Sequence, residues 1–402
     1  MGFQHGLSGL NAAARNLDII GHNVANANTI GAKVTRAEFA DRYANAVGGG
    51  GTFTGLGVTI NDVTQTFSQG DLTSSNNPLD LAINGTGFFR VSSDEEGVSY
   101  TRNGQFKLDS DGYVVNSDGG RLSGYPADSE GQIQVGVATD LVVIASNLSP
   151  EMSTRMDAEI NLDARQDEPV DPFSPSSPLT YNAATSLNLF DAQGRDTTVA
   201  MYFVKTANNT WDVHATAEGV AIGAGPLTSL TFSSDGTVDI AASPMPVPIT
   251  VPTGSGGSIA LDMHLGNITQ YGSVFGVNSL KQDGYSTGQL AGYAIDESGM
   301  IMARYTNGQA RAQGQIALVN FANPQGLAAN GGNSWIETAK SGQPLLGVPG
   351  SASLGGVQSG ALEQSNVDLT GELVNMIMAQ RSYQANAQTI RAQDQIVQTI
   401  IN

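Results

Sequence analysis

The side chains able to do acid-base, metal or nucleophilic chemistry in this 402-residue chain are few and scattered. Its four histidines stand at positions 5, 22, 214 and 264, with no pair three or four residues apart, so the helical two-histidine zinc motif is absent. There is no cysteine, which excludes disulfides and thiolate metal sites. No dinucleotide fingerprint, P-loop or nucleophile elbow occurs. Asp109-Ser110-Asp111-Gly112 opens like a calcium loop, but Tyr113 takes the next ligand position and Gly120 falls where the bidentate glutamate belongs, so it reads as a hairpin turn. The pairs Asp94-Glu95 and Asp167-Glu168 sit in turn-like or proline-flanked contexts with no apolar surroundings to shift a pKa. Trp211 and Trp335 are too few for a sugar-stacking platform and read as core residues. No enzyme activity, cofactor or metal is expected.

The densest polar pattern is uncharged. Gln380, Gln384 and Gln388 recur every four residues, joined by Asn375, Asn386, Gln393, Gln395 and Gln398. Such amides suit a wet, neutral surface: lateral hydrogen bonding between subunits, the wall of a channel, or an ordinary solvated helix face. Charge is placed elsewhere. The 37 acidic and 18 basic side chains give a net charge of −19. The ends contribute almost none of it, holding Arg15 with Asp18, and Asp368, Glu372 and Asp394 with Arg381 and Arg391. An acidic chain without clustered Lys and Arg argues against nucleic acid. Near-neutral ends pack copy against copy at small electrostatic cost, and an acidic middle repels itself in water.

The elements that carry those amides are helices. Phe3, Leu7, Leu10, Ala14, Leu17, Gly21 and Val24 alternate spacings of four and three, as do Leu369, Leu373, Met376, Gln380, Tyr383, Ala387, Ile390, Asp394, Val397 and Ile401. Each run predicts one helix with an apolar seam, the first over about 2–27 and the second opening at Asp368 as N-cap, with Glu372 in its first turn. A seam needs a partner, so each helix must pack on the other or on copies of the chain, through Phe3, Leu7, Leu10, Ala14, Leu17 and Val24 at one end and Leu369, Leu373, Met376, Tyr383, Ala387, Ile390, Val397 and Ile401 at the other.

Between them, 49 glycines in the whole chain and only 6% aromatics indicate turn-rich β structure. Short strands are predicted at Leu81–Ile83, Phe88–Val91, Gln105–Leu108 and Tyr113–Val115, and a second set at Ser186–Phe190, Thr198–Val204, Thr210–Val213, Ser229–Phe232 and Ser258–Leu265. The expected fold is mixed and mainly β: nested β domains in the middle, with the terminal helices pairing as a coiled-coil-like core. Termini that meet force this nesting, since the chain must leave the core and return. The expected division is a helical core (1–30 and 366–402), a connector (31–70 and 356–365, with Gly48–Gly51 as a flexible link), an inner β domain (71–145 and 285–355) and an inserted outer β domain (146–284). No apolar run approaches about 18 residues, so no membrane insertion is expected. Met1-Gly2-Phe3-Gln4-His5 lacks the pattern of a cleaved secretory signal, so a cytoplasmic home is the default and any outward route would leave the signal uncleaved.

The ends carry a specific likeness. Gly9-Leu10-Asn11-Ala12-Ala13 through Leu17-Asp18-Ile19-Ile20-Gly21-His22-Asn23-Val24-Ala25-Asn26 resembles the N-terminal signature of the bacterial flagellar rod and hook proteins. Gly360 to Leu369, then Glu372-Leu373-Val374 and Ala379 to Ala387, resembles the matching C-terminal signature. Arg102 to Asp109, Gly124-Tyr125-Pro126 and Val319 to Leu327 resemble the hook branch, as does the length of the inserted segment. One departure is Ala32, where the family often has an aromatic ring between Gly31 and Lys33. The resemblance implies a structural subunit of the hook, exported by the flagellar type III apparatus without signal cleavage. It would polymerise under the hook cap protein onto the distal rod protein and form a curved tube that acts as a universal joint. The hook-filament junction protein and the hook-length control protein are further implied partners. A straight distal rod protein is the alternative within the family, and a secreted β-rich carbohydrate-binding or degrading protein is the alternative outside it.

Overall fold

The computed structural model describes residues 2–42, 55, 57–95, 97–128, 130–144, 146–254 and 256–401. The Gly48–Gly51 link and Tyr43 lie outside the described residues. Two compact units are present: Met1–Ala145 with Gly292–Arg304 and Ala310–Asn402, and Ser146–Ala291 with Tyr305–Gln309.

The first unit holds both helices and a large antiparallel sheet. Helix α1 spans Gly2–Ala25 and helix α2 spans Leu369–Ile401. Strands Met300–Tyr305, Ala310–Ile316, Arg121–Pro126, Phe88–Ser93, Gly97–Thr101, Ser334–Ile336 and Ala328–Gly331 lie side by side in that order. Consecutive residues of a strand face opposite sides of a sheet. Phe89 therefore joins a core with Leu81, Leu122, Ile316 and Leu318, whereas Phe88 joins a second core with Tyr100, Phe321 and Trp335. The unbroken apolar pairs Phe88-Phe89 and Leu318-Val319 reflect a sheet covered on both faces. In the second core, burial and the neighbouring Glu337 carboxylate push the Tyr100 phenol up to about 12.

The chain returns to close this unit. Gly356–Ser359 pairs antiparallel with Leu81–Asn84, and Ala361–Glu363 with Leu72–Ser74. Within the connector, Val58, Ile60 and Val63 suggest extended chain, and they lie in a strand that is paired. Thr35–Arg42 and Gly57–Gln65 form an antiparallel ladder with a register shift after Glu38. That shift breaks the two-residue alternation by which a strand is recognised.

The second unit has two five-stranded sheets. One orders Val247–Pro252, Ser258–His264, Arg155–Asp163 and Thr269–Tyr271, with Gly276–Gln282 also on Arg155–Asp163. The other orders Ala183–Phe190, Asp196–Ala207, Thr210–Ala217 and Val220–Ala221, with Thr228–Thr231 also on Thr210–Ala217. Met156, Ile160, Phe203, Trp211, Val251 and Met263 share one core. The Trp211 indole donates to Gln270 Oε1 at 2.8 Å, which satisfies its only polar atom. Val247–Pro252 is an edge strand whose residues alternate buried and exposed, with Pro248 and Pro252 outward, where a missing N–H costs no ladder bond.

Candidate functional site

Asp368 opens α2 as an N-cap: its Oδ1 accepts from the Thr370 N–H at 3.0 Å, and its carbonyl accepts from Glu372 N–H at 2.9 Å. Asn26 follows the end of α1, its side chain donating to the His22 carbonyl at 2.9 Å, and Gly31, at φ +73°, sits in the next turn, which the Ala32 N–H closes on the Thr29 carbonyl. The helices run antiparallel. A Cβ built on Gly6 would meet Ile390 at 2.9 Å, and one on Gly9 would meet Asn386 at 2.6 Å. Further along, Asn16, Ile20 and Asn23 share a groove with Asn375, Ala379 and Ser382.

The face of α1 turned to α2 is thus Gly6, Gly9, Ala13, Asn16 and Ile20. It keeps the four-and-three rhythm, shifted by one residue from the leucine seam, or about 100° round the helix. Small residues admit the partner helix closely, and the bulky stripe is left on the flank. Phe3 and Leu7 remain 52% and 44% exposed, while Leu10, Ala14, Leu17 and Val24 are half-buried. Gly21 has nothing within 4 Å of where a Cβ would stand.

On α2, Ala379 is the one buried residue among those described. Met376, Ala387 and Ile390 are half-buried, whereas Leu369, Leu373, Tyr383 and Val397 are 42%, 45%, 38% and 52% exposed. Ile401 closes the helix, and its side chain lies outside the described residues. Val374, Ile377, Met378 and Ile396 add to the uncovered apolar surface. Gln380, Gln384 and Gln388 are all exposed. At 100° per residue they fall on the side of α2 away from Ala379.

Where the helices meet the sheet lies a charged cluster that sequence spacing did not bring together. Lys33 Nζ is 2.5 Å from Glu363 Oε1, and Arg102 is 3.0 Å from Glu363 Oε2, with all three side chains at most 3% exposed. Lys33 also donates to the Ser68 carbonyl at 2.8 Å, Arg102 to the Gly85 carbonyl at 2.9 Å, and the Gly70 N–H to Glu363 Oε1 at 2.9 Å. Burial pulls the Lys33 ammonium and the Arg102 guanidinium below their ordinary values, and Glu363 opposes it in both cases. Nearby, Asn23 donates to and accepts from Thr35, and Asn366 accepts from the Val34 N–H at 2.7 Å while donating to the Thr66 carbonyl at 2.8 Å. The available signals were a lysine flanked by Ala32 and Val34, and a glutamate at an inward position of Ala361–Glu363, where burial alternates.

The remaining candidates take structural places. Asp109 Oδ1 accepts from the Asp111 and Tyr113 N–H groups in a hairpin turn, and Asn116 repeats the device for Asp118 and Gly120. His214 stacks on Phe173 at 4.1 Å. Among the described residues no three His, Asp or Glu side chains are grouped to hold a metal ion, and no helix is long and apolar enough to cross a membrane.

Comparison with known proteins gives a consistent picture along the whole chain. The family described as flagella basal body rod protein matches residues 3–33, and the flagellar hook protein FlgE/F/G D1 domain matches 82–148. The flagellar basal body protein FlaE D2 domain matches 161–285, and the flagellar basal body rod FlgEFG protein C-terminal family matches 358–402. Flagellar hook protein FlgE of Escherichia coli is 40% identical over 407 residues, covering 100% of both chains. The protein of the same name from Borreliella burgdorferi is 32% identical over 98% of each. The crystal structure of Helicobacter pylori flagellar hook protein FlgE2 aligns with a TM-score of 0.55 at 14% identity, over 71% of this chain and 99% of that one, a likeness of fold.

Proposed function

Because the chain belongs to the flagellar hook protein FlgE family, a family of structural subunits of the flagellar hook, we propose that it assembles through its paired terminal helices into a curved, flexible tube that carries motor torque from rod to filament. In this reading α1 and α2 of each copy form the tube's inner wall. Phe3, Leu7, Leu10, Ala14, Leu17 and Val24, with Leu369, Leu373, Met376, Tyr383, Ala387, Ile390, Val397 and Ile401, supply the contacts between copies. Gln380, Gln384 and Gln388 form a polar stripe along the channel or between neighbours. The partners are further copies, the distal rod protein, the hook cap protein, the hook-filament junction protein and the hook-length control protein. The subunit leaves the cell through the flagellar type III export apparatus without signal cleavage and performs no catalysis.

The observation that carries this reading is the uncovered flank of the helix pair. Phe3, Leu7, Leu369, Leu373, Val374, Ile377, Met378, Ile396 and Val397 are each between 42% and 58% exposed. Burying the rest of each such side chain contributes roughly 1 kcal/mol. Together these nine contributions offset the lower part of the roughly 4–15 kcal/mol that association costs in lost freedom. A polymer that repeats the contact with several neighbours gains more. Bending asks for the opposite in the outer layers, where polar contacts slide as each row of subunits shortens and lengthens. Concentrating the purified full chain and imaging it by electron microscopy tests the reading: tubes support it, and persistent monomers oppose it.

A further inference from the structure

Both helices join the sheet at one place. The chain leaving α1 passes through Gly31 and Lys33, and the chain entering α2 passes through Glu363 and Asn366, three residues before Leu369. Glu363 holds these crossings together: its carbonyl accepts from the Gly31 N–H at 2.9 Å, and its carboxylate takes Lys33, Arg102 and the Gly70 N–H. Three separate stretches of chain, at Lys33, Gly70 and Arg102, meet on the Glu363 side chain.

The arrangement is an expensive way to fill space. Two buried cations share one carboxylate, and Arg102 Nε, also buried, has no hydrogen-bond partner. Apolar residues of similar size are often neutral or stabilising at such a position, so a buried ion cluster is weak evidence for stability, and fixing a single geometry is a role such groups have in some systems. Directional bonds fix angles that apolar contacts leave free. The Arg102 guanidinium adds a further restraint, lying 5.4 Å from the Phe88 ring of the sheet.

We propose that Glu363, with Lys33 and Arg102, is a positioning cluster that sets the direction in which both terminal helices leave the sheet, and thereby the regularity of the polymer. It rests on the assembly reading above, and deepens it: the helices supply the adhesion, and the cluster supplies the angle between adhesion and body. The chemistry recognised is a second copy of this chain, which fits only if every copy presents its helices at the same angle.

The test uses the full chain in three forms: parent, Glu363→Gln, and a variant in which Lys33→Met, Arg102→Met and Glu363→Leu are combined. Hydrogen exchange reads the junction and electron microscopy reads the polymer. In Glu363→Gln, two unpaired cations open the junction, and exchange at Gly31 and Gly70 speeds at least about tenfold while Leu122 and Ile316 in the sheet keep their protection. The apolar triple variant keeps the sheet protected, yet its polymers vary in diameter or curvature. Unchanged exchange at Gly31 and Gly70 in Glu363→Gln overturns the proposal. Parent-like, regular tubes from the triple variant also overturn it, since the cluster then only fills space. If Glu363→Gln loses protection throughout, the triple variant alone decides. Failure of the parent itself to polymerise counts against the assembly reading, and the exchange result still judges the junction.

Discussion

Gly9 of α1 lies so close to Asn386 of α2 that a Cβ on the glycine would stand 2.6 Å from the amide oxygen and 2.8 Å from the amide carbon. The absence of a side chain at Gly9 leaves room for the Asn386 amide, which has to shift if any larger residue stands there. Alanine is the better helix former by up to about 1 kcal/mol, so the two effects oppose each other. Gly9→Ala is expected to weaken the pairing in the parent and to become neutral or stabilising once Asn386→Ala has cleared the space. Exchange protection of α1 amides in the two single variants and the double variant measures this reversal of sign.

Gly31 and Gly21 make a contrasting pair. Gly31 has φ +73°, and a Cβ there would lie 2.6 Å from the Asn103 backbone nitrogen, whereas Gly21 has open space around it. Gly31→Ala is expected to cost about 2–4 kcal/mol. Gly21→Ala should be neutral or stabilise slightly. Thermal unfolding of both variants checks the difference.

Leu7 and Leu373 are each nearly half exposed on the chain alone. Leu7→Glu and Leu373→Glu should therefore leave the helical circular dichroism of the monomer unchanged while abolishing assembly, because a charge buried between copies is left unpaired. Sedimentation after concentration separates the two effects. A variant that unfolds the monomer would place these residues inside the chain's own core.

Asp163 gives the second unit an acid dependence. The Arg165 side chain and backbone N–H hold its carboxylate down at about 2, below the ordinary 3.8. A group depressed on folding stabilises fully above its ordinary value and loses that contribution as the pH falls through its folded value. Asp163→Asn should thus be less stable than the parent at neutral pH and converge on it between about pH 4 and pH 2. Urea midpoints followed by tryptophan fluorescence, to which the fully buried Trp211 of this unit contributes, measure the convergence.

Much of this was readable in the sequence because it was local. Asp368 before a heptad run marks a helix start, and Asp109, two residues ahead of the backbone it caps, marks a turn. The leucine stripe was equally plain, whereas Gly6, Gly9 and Ala13 are small and carry no apolar bulk for a periodicity to show. In the ladder between Thr35–Arg42 and Gly57–Gln65, Val58, Ile60 and Val63 suggest extended chain, but the partner strand and the pairing, with its register shift after Glu38, left no such signal. The cluster of Lys33, Arg102 and Glu363 was hidden by distance, since spatial neighbours some 330 positions apart leave no spacing to read.

Asn366 also belongs to the junction, binding the backbone at Val34, Thr66 and Ser68. A deletion meant to remove only the adhesive helix should therefore begin at Leu369 rather than at Asn366. The most direct test of the central claim is a cryo-electron microscopy reconstruction of concentrated full-length protein beside the chain lacking 369–402. The expected result is a tube whose innermost wall is α1 and α2, with Leu7 and Leu373 buried against neighbouring copies, and only β-folded monomers from the shortened chain. Regular tubes from the shortened chain, or a polymer with its helices facing outward, would contradict it.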